Sequence, residues 1–470
     1  MNGPGAEVES GPTAVSPRAA ARGDGLGVFT LACLVVANMI GAGVFTSSGF
    51  AMAALQDPAR VMLVWWVCGV WAICGAVAYG GLVRRLKLSG GEYLFLSRLV
   101  HPAVGFLAGW ISVVAGFAAP IAVTAYGAAV YAIGSSPAAR PWLTPLALLV
   151  VVMATAFHLA GLHWGAKAQN TIVVLKLVLL AAFLGWVFLL LPAEAWHGPT
   201  EPREWGRWWP DSGPAWMAVL GSMSWIALSY TGFNAAIYVA GAARDSGPRV
   251  ARSMVLATVL VTVIYLSLNY VFVYGPAPGS ISGQPEVAAI AAAELGGPRL
   301  ALVVRLTIVL AMISSVFSLL LAGPQVYQRM ADDGVMPGLF RTGANGVSRA
   351  AVLAQAALGI AALLIAGLRE LMNYLGLTLS ACGALTVLSL WWIHRRLPDA
   401  QPVRGWETAA MLVYLGITGG ILVGSYREHP VEFAAMVGTF AAGGLVYMVW
   451  WAVHRPRAAS TAGGDAGEEG

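Results

Sequence analysis

The stretch ANMIGAGVFTSSG, residues 37–49, places two glycines, Gly41 and Gly43, in the middle of an apolar run from Leu26 to Leu55. A glycine inside a helix costs about 1 kcal/mol relative to alanine. Small and polar residues crowd in beside the pair: Asn38, Ala42, Thr46, Ser47 and Ser48. A segment long enough to cross a bilayer therefore carries a weak point at its centre, and the rest of the chain has to account for it.

Composition sets the frame. Of the 470 residues, 58% are hydrophobic and only 10% charged, against about 25% charged in soluble globular proteins. Apolar runs of about 20 residues, the length that spans the hydrocarbon core as a helix, recur along the chain. The expected fold is an all-α membrane protein. The net charge of +5 reflects arginines in loops and does not point to nucleic acid. The four cysteines, Cys33, Cys68, Cys74 and Cys382, lie in apolar spans, without the spacing of a disulfide framework or a zinc site. They read as small hydrophobes, and no metal or cofactor is expected. Residues 1–24 lack the apolar core of a signal peptide. That tail and the one after about Arg457 are rich in Gly, Pro, Ala and Ser and read as disordered.

Polar breaks divide the chain into twelve candidate transmembrane helices, roughly 26–55, 60–83, 103–133, 142–161, 168–191, 215–241, 251–274, 299–329, 350–368, 371–394, 406–425 and 432–454. With the N-terminus inside, eighteen of the 27 Lys and Arg fall in inner loops and tails and seven in outer loops. Lys and Arg favour the cytoplasmic side, so a multi-pass protein of the cell (inner) membrane with both termini cytoplasmic is expected. The longest outer loop, 192–214, carries Trp196, Trp205, Trp208 and Trp209, which suits the headgroup interface.

A second weak point, SYTGFN at 229–234, sets Gly232 among Ser229, Thr231 and Asn234 in the sixth span. If the first ten spans form two halves of five, the first and sixth correspond. Paired interruptions at corresponding positions point to a transporter's binding site. Since five is odd, the halves run in opposite directions, giving a 5+5 inverted repeat with discontinuous helices 1 and 6. A broken helix frees backbone groups, which is tolerated at membrane depth only inside protein or along a cavity. The N–H groups of Ala42, Gly43 and Val44 open a half-helix whose positive end suits a carboxylate. The carbonyls near Met39, Ile40, Ser229 and Tyr230 suit an ammonium. Such a site can hold the zwitterionic head of an amino acid, with Ile40, Gly41, Ala42, Gly43, Ser229, Tyr230, Thr231 and Gly232 as its candidate residues. The alternative is that the glycines are close-packing points between helices. Tyr230 and Phe233 either shape the side-chain pocket or pack against a neighbouring helix.

Four motifs, MIGAGVF (39–45), LSGGEYLFLSR (88–98), SYTGFNAAIYVAGAARD (229–245) and AGPQVYQRMADDGVMP (322–337), resemble the amino acid permeases of the amino acid–polyamine–organocation (APC) superfamily in order and spacing. The resemblance runs over roughly residues 25–455. It implies a transport core over 25–396 with helices 1–10, two further helices over 397–455, and alternating access around a midplane site. Two departures stand out. Relatives usually carry a glutamate near the inner end of the second helix, where this chain has Gly81, and another after the sixth, where it has Ala242. Both help latch the inner gate, so their absence puts that network in doubt. Leu228 occupies a position that is often a gating aromatic.

Lys176 lies nine residues into the fifth span. A charge at that depth costs about 2.5–3.5 kcal/mol on insertion scales and is a functional candidate; the alternative is snorkelling to the interface. In similar proton-coupled permeases a lysine at the matching place occupies a site that sodium fills in sodium-coupled relatives. The resemblance implies a coupling role, with the Lys176 ammonium bridging the first-helix break and Ser314 or Ser315 of the eighth helix. The acidic residues fall in tails, loops and span ends, with none read at mid-membrane. Cationic substrates are therefore disfavoured, and proton coupling is left to Lys176 or the substrate. Arg305 either lines the outer vestibule, snorkels, or pairs with Glu286 or Glu294. His158 and His163 read as interfacial.

These readings converge on a secondary transporter for amino acids, neutral ones favoured, sodium-independent and driven by protons or exchange. Its partners would be the substrate, the lipid bilayer and protons. A carrier of another small amine and a non-transporting amino acid sensor are the alternatives. No HExxH, GxSxG, CxxC or carboxylate pair lies in or near a span, so no enzyme is expected. No outer loop has a cysteine, so no covalent heavy-chain partner is expected.

Overall fold

Proline, serine and aspartate caps start many of the helices, and their positions explain where the spans begin. A computed structural model describes residues 27–86, 91–160, 166–192, 196, 209–242, 246–341 and 348–454. Among these there are helices and turns but no strand. In chain order the helices are α1 (Val28–Met39), α2 (Ala42–Leu55), α3 (Pro58–Leu86), α4 (Gly91–Leu99), α5 (Pro102–Ile133), α6 (Arg140–Leu159) and α7 (Ala166–Leu190). Then come α8 (Gly213–Tyr230), a 3₁₀ segment (Ala235–Ala242), α9 (Ser246–Tyr274), α10 (Val287–Asp332), α11 (Arg349–Ile365), α12 (Leu368–Arg396), α13 (Gly405–Glu428) and α14 (Pro430–His454). The tails, Lys87, His163, the loop tryptophans Trp205 and Trp208, and the side chain of Ala242 lie outside what the structure describes.

Local chemistry sets the boundaries. Asp57 accepts a bond from the Ala59 amide at 2.8 Å, Pro58 takes the first helical position, and Arg84 and Arg85 occupy the last turn of α3. An acceptor cap, an N-terminal proline and a basic C-terminus all match the helix dipole. Ser212 and Ser348 cap α8 and α11 through the amides of Ala215 and Ala351. In α5 the helix widens to a π-helical stretch over Ser112–Ala118. In α10 a positive φ of 76° at Gly297 bends the chain ahead of its main apolar stretch.

Ten spans, with α1 and α2 counted as one, are long and apolar enough to cross a bilayer. The expected count was twelve. The two that fall short are α11, with 17 residues, and α8, whose 18 residues before the break are diluted by Gly213, Pro214, Gly221 and three serines. This is a multi-pass all-α membrane protein. One face of α9 packs along α3, and α2 packs against α8, so the two interrupted segments meet at the core of the bundle.

Candidate functional site

The first interruption falls at Ile40 and Gly41. Ile40 leaves the helix with ψ 84°, and Gly41 is extended at φ −123°, ψ −154°. The second falls at Thr231–Asn234, with Gly232 at φ +94°. A side chain at Gly232 would be strained by that φ and would stand 3.0 Å from the Asn38 backbone, so glycine is required there. The two glycines of the opening stretch separate into different roles. A Cβ at Gly43 would lie 2.8 Å from the Ser229 Cα, whereas one at Gly41 would meet nothing within 4 Å. Gly43 is a packing point between α2 and α8; Gly41 borders open space at the break.

The freed backbone groups divide in the same way. The N–H groups of Ala42, Gly43 and Val44 open α2, whose N-cap Gly41 offers no side-chain bond. Among the described residues they meet no acceptor. On the acceptor side the expectation needs correcting. Tyr265 Oη stands 2.6 Å from the Met39 carbonyl and 3.1 Å from that of Ser229. Lys176 Nζ donates to the Ile40 carbonyl at 2.8 Å. Three of the four carbonyls expected to meet a substrate ammonium are therefore already engaged, by donors on α9 and α7. The carbonyls of Tyr230 and Thr231 have no donor among the described residues. Tyr265 was not foreseen, since a tyrosine inside an apolar span reads as packing.

Lys176 is buried and sits at the first break. Its expected second contact is not made: Ser314 and Ser315 donate to the Ala311 carbonyl at 2.7 and 3.0 Å. In a helix these hydroxyls satisfy themselves on the preceding turn. The three residues line one small cavity of about 30 Å³, together with His158, Phe317 and Ser318. By the probe-sphere measure this has room for a water or two. His158 is not interfacial: it is buried, with Nε2 2.9 Å from the Phe317 carbonyl. The remaining polar residues near the breaks clip helices together. Ser47 bonds the Trp225 carbonyl and lies 3.0 Å from the Ser229 hydroxyl; Ser48 bonds Asn269 and accepts from Trp65. Tyr230 packs with Trp65 and Tyr265, and Phe233 with Trp71, Tyr79 and Tyr414. Both follow the helix-packing alternative.

Arg305 pairs with Glu286 at 3.0 Å. At that same end of the bundle, Arg369 lies over the ring of Trp225 at 5.0 Å and that of Phe50 at 6.0 Å. Leu228 follows one turn further along α8 from Trp225 and lies against Gly376 of α12. A cavity of about 520 Å³ is lined by Ser222, Arg369, Glu370, Glu428, His429 and Glu432.

Two acids lie at helix starts, as expected, but are buried in protein, which the sequence did not show. Glu92 is 7% exposed and Glu407 fully buried. Glu407 reaches from the first turn of α13 to Arg84 and Arg85 of α3, the latter pair at 2.7 Å, and also accepts from the Arg404 amide. A Cβ on Gly81 would stand 3.3 Å from the Glu407 carboxylate. The acid missing at position 81 thus has a counterpart in space, supplied by a different helix. Ala242 ends the 3₁₀ segment.

Two interrupted membrane helices, meeting with free amides on one side and free carbonyls on the other, define the class of protein: a carrier built around a break. The comparison with known families agrees. A family model described as amino acid permease matches residues 26–453, and the chain belongs to that family of transporters, within the APC superfamily. The chain is 24% identical over 472 residues to the large neutral amino acids transporter small subunit 2 of Homo sapiens, covering 95% of this chain and 85% of that protein. It is 24% identical over 395 residues to the low-affinity putrescine importer PlaP of Escherichia coli, covering 79% and 82%. The b(0,+)-type amino acid transporter 1 of Mus musculus is 23% identical over 255 residues, 53% of this chain and 50% of that one.

Proposed function

We propose that the protein carries neutral amino acids across the cell membrane by alternating access, without sodium, driven by protons or by exchange. The observation that carries this reading is the Lys176 ammonium on the Ile40 carbonyl, beside the unpartnered amides of Ala42, Gly43 and Val44. A fixed cation at the break takes the place that a mobile one would need. The free amides and the half-helix dipole receive the substrate carboxylate, and the carbonyls of Tyr230 and Thr231 receive its ammonium. Leu228, one turn beyond Trp225 on α8, serves as the gate. The chain is read as twelve spans, with a core over 25–396, two further helices over 397–455, and both termini cytoplasmic. The sensor alternative drew its weight from the missing acids, and Glu407 beside Gly81 weakens that ground.

The test is uptake of tritiated leucine into proteoliposomes, with and without an inward proton gradient and with and without internal leucine. Gradient-driven uptake that persists in choline medium supports proton coupling, and uptake that requires internal leucine supports exchange. Failure of both modes sinks the reading.

A further inference from the structure

The neighbourhood of Glu92 holds a group that the transport site does not use. Glu92 opens α4, just before the third span, yet its side chain turns into the bundle. Its carboxylate is held by three neutral donors. The Tyr79 hydroxyl of α3 and the Asn234 side-chain amide, the latter at 2.9 Å, both bond Oε1. The Cys382 thiol of α12 bonds Oε2 at 3.2 Å. Tyr238 on the 3₁₀ segment and Tyr414 on α13 are the other titratable groups that face it. No Lys, Arg or His among the described residues forms an ion pair with it. An interior carboxylate without a cation is costly to keep charged, and three neutral hydrogen bonds offset only part of that cost. Burial raises the Glu92 pKa and the three donors pull it back down, the balance lying upward.

Of the three donors, only Asn234 belongs to an interruption. It is the last residue of the turn between α8 and the 3₁₀ segment. We propose that Glu92 is a proton-binding site that couples proton uptake to the conformation of the sixth-helix break. The charged carboxylate accepts from all three neighbours. Adding one proton turns one lone pair of the carboxylate into an O–H donor that needs an acceptor, which none of the three neighbours supplies in its present role. The Asn234 amide can do this by turning its oxygen to accept. Tyr79, on a continuous helix, can answer only by rotating its hydroxyl, whereas Asn234 sits in the turn itself, so its change of role is the one the break feels. Proton binding therefore changes the bond that holds the break to the bundle, far along the chain from Lys176 and in contact with the opposite interrupted span. This rests on the transporter reading and adds a second group able to carry the coupled proton.

The experiment is an infrared titration of the purified full-length protein, following the carbonyl stretch of a protonated carboxylic acid, paired with the leucine assays above. The expected result is an acid band that grows as pH falls and is missing in Glu92→Gln. That variant should keep leucine counterflow and lose gradient-driven accumulation. An unchanged band in Glu92→Gln, or accumulation that survives in it, overturns the proposal. Asn234→Ser keeps Glu92 and removes the long-reaching amide donor. It should move the band's midpoint to higher pH, because a donor to the charged form is lost, and an unmoved midpoint also overturns the proposal. The two readings fail separately. A Glu92 band with no leucine movement in any mode sinks transport and leaves the proton site. Leucine movement without the band sinks the proton site alone.

Discussion

Gly41 and Gly43 are two residues apart and should respond oppositely to the same substitution. Gly41→Leu projects into open space, so the folded protein should keep its thermal midpoint in detergent and lose leucine uptake. Gly43→Leu drives a side chain into the Ser229 backbone, and overpacking of this kind costs about 1–3 kcal/mol. It should lower the midpoint and the yield of monodisperse protein. Equal loss of stability in both would remove Gly41 from the site. Lys176→Met strips the Ile40 carbonyl of its donor, which leaves a buried acceptor unpaired at about 1–3 kcal/mol. It should also flatten the pH dependence of uptake, and an unaltered pH profile would sink the coupling role. His429, between α13 and α14, is partly buried, and that burial holds its pKa below the ordinary 6.5. The folded state thus favours the neutral ring. Stability is fully present above that value and declines as pH falls through it towards the lower folded pKa. Thermal midpoints measured across that window should fall less in His429→Gln.

Between elements, the junction of α3 and α13 makes the sharpest prediction. Glu407 meets Arg84 and Arg85 in the interior, and removing one partner of a buried ion pair typically costs about 3–5 kcal/mol. Glu407→Gln should therefore lower the thermal midpoint strongly. Gly81→Glu alone should also destabilise, by bringing a second carboxylate against the first. Combined, the two changes should recover much of the loss, because the acid then comes from α3 itself. Without that recovery, the correspondence between position 81 and Glu407 fails. This junction shows why part of the site was hidden in the sequence. The interruptions were legible because glycine and polar side chains at mid-span have few other uses, and Lys176 was legible from its depth. Glu407 and Arg85 are 322 positions apart, and no periodicity joins them. Glu92 reads as a loop acid because it lies just outside a span; only the turn of α4 into the bundle buries it. Ser314 and Ser315 failed as partners for Lys176 because a helical hydroxyl has an acceptor on its own preceding turn.

At the scale of the molecule, the distribution of arginines sets an orientation that can be checked directly. Ser136 and Gly338 are both exposed and lie in breaks expected on opposite sides. Ser136→Cys should react with a membrane-impermeant maleimide on intact cells, and Gly338→Cys only after permeabilisation. The reverse pattern would invert the topology. The helical class was legible from hydropathy alone, because apolar runs of membrane length admit few other folds. The number of spans was less so. A helix interrupted at a site, such as α8, has no reason to keep full length, since its partner segment finishes the crossing.

Gly43 is not alone in admitting a close neighbour to α8. Gly376 of α12 sits against the Ser224 carbonyl and Gly424 of α13 against Leu220 and Gly221, so α8 is gripped from three sides at glycine contacts. The 3₁₀ segment that follows has the poorer hydrogen-bond geometry of its type and no such grip from these glycines. The sixth span is thus built like a pin set in a tight collar, followed by a segment whose Tyr238 beds against Gly91. A side chain added at Gly376 or Gly424 would have to push α8 out of that collar.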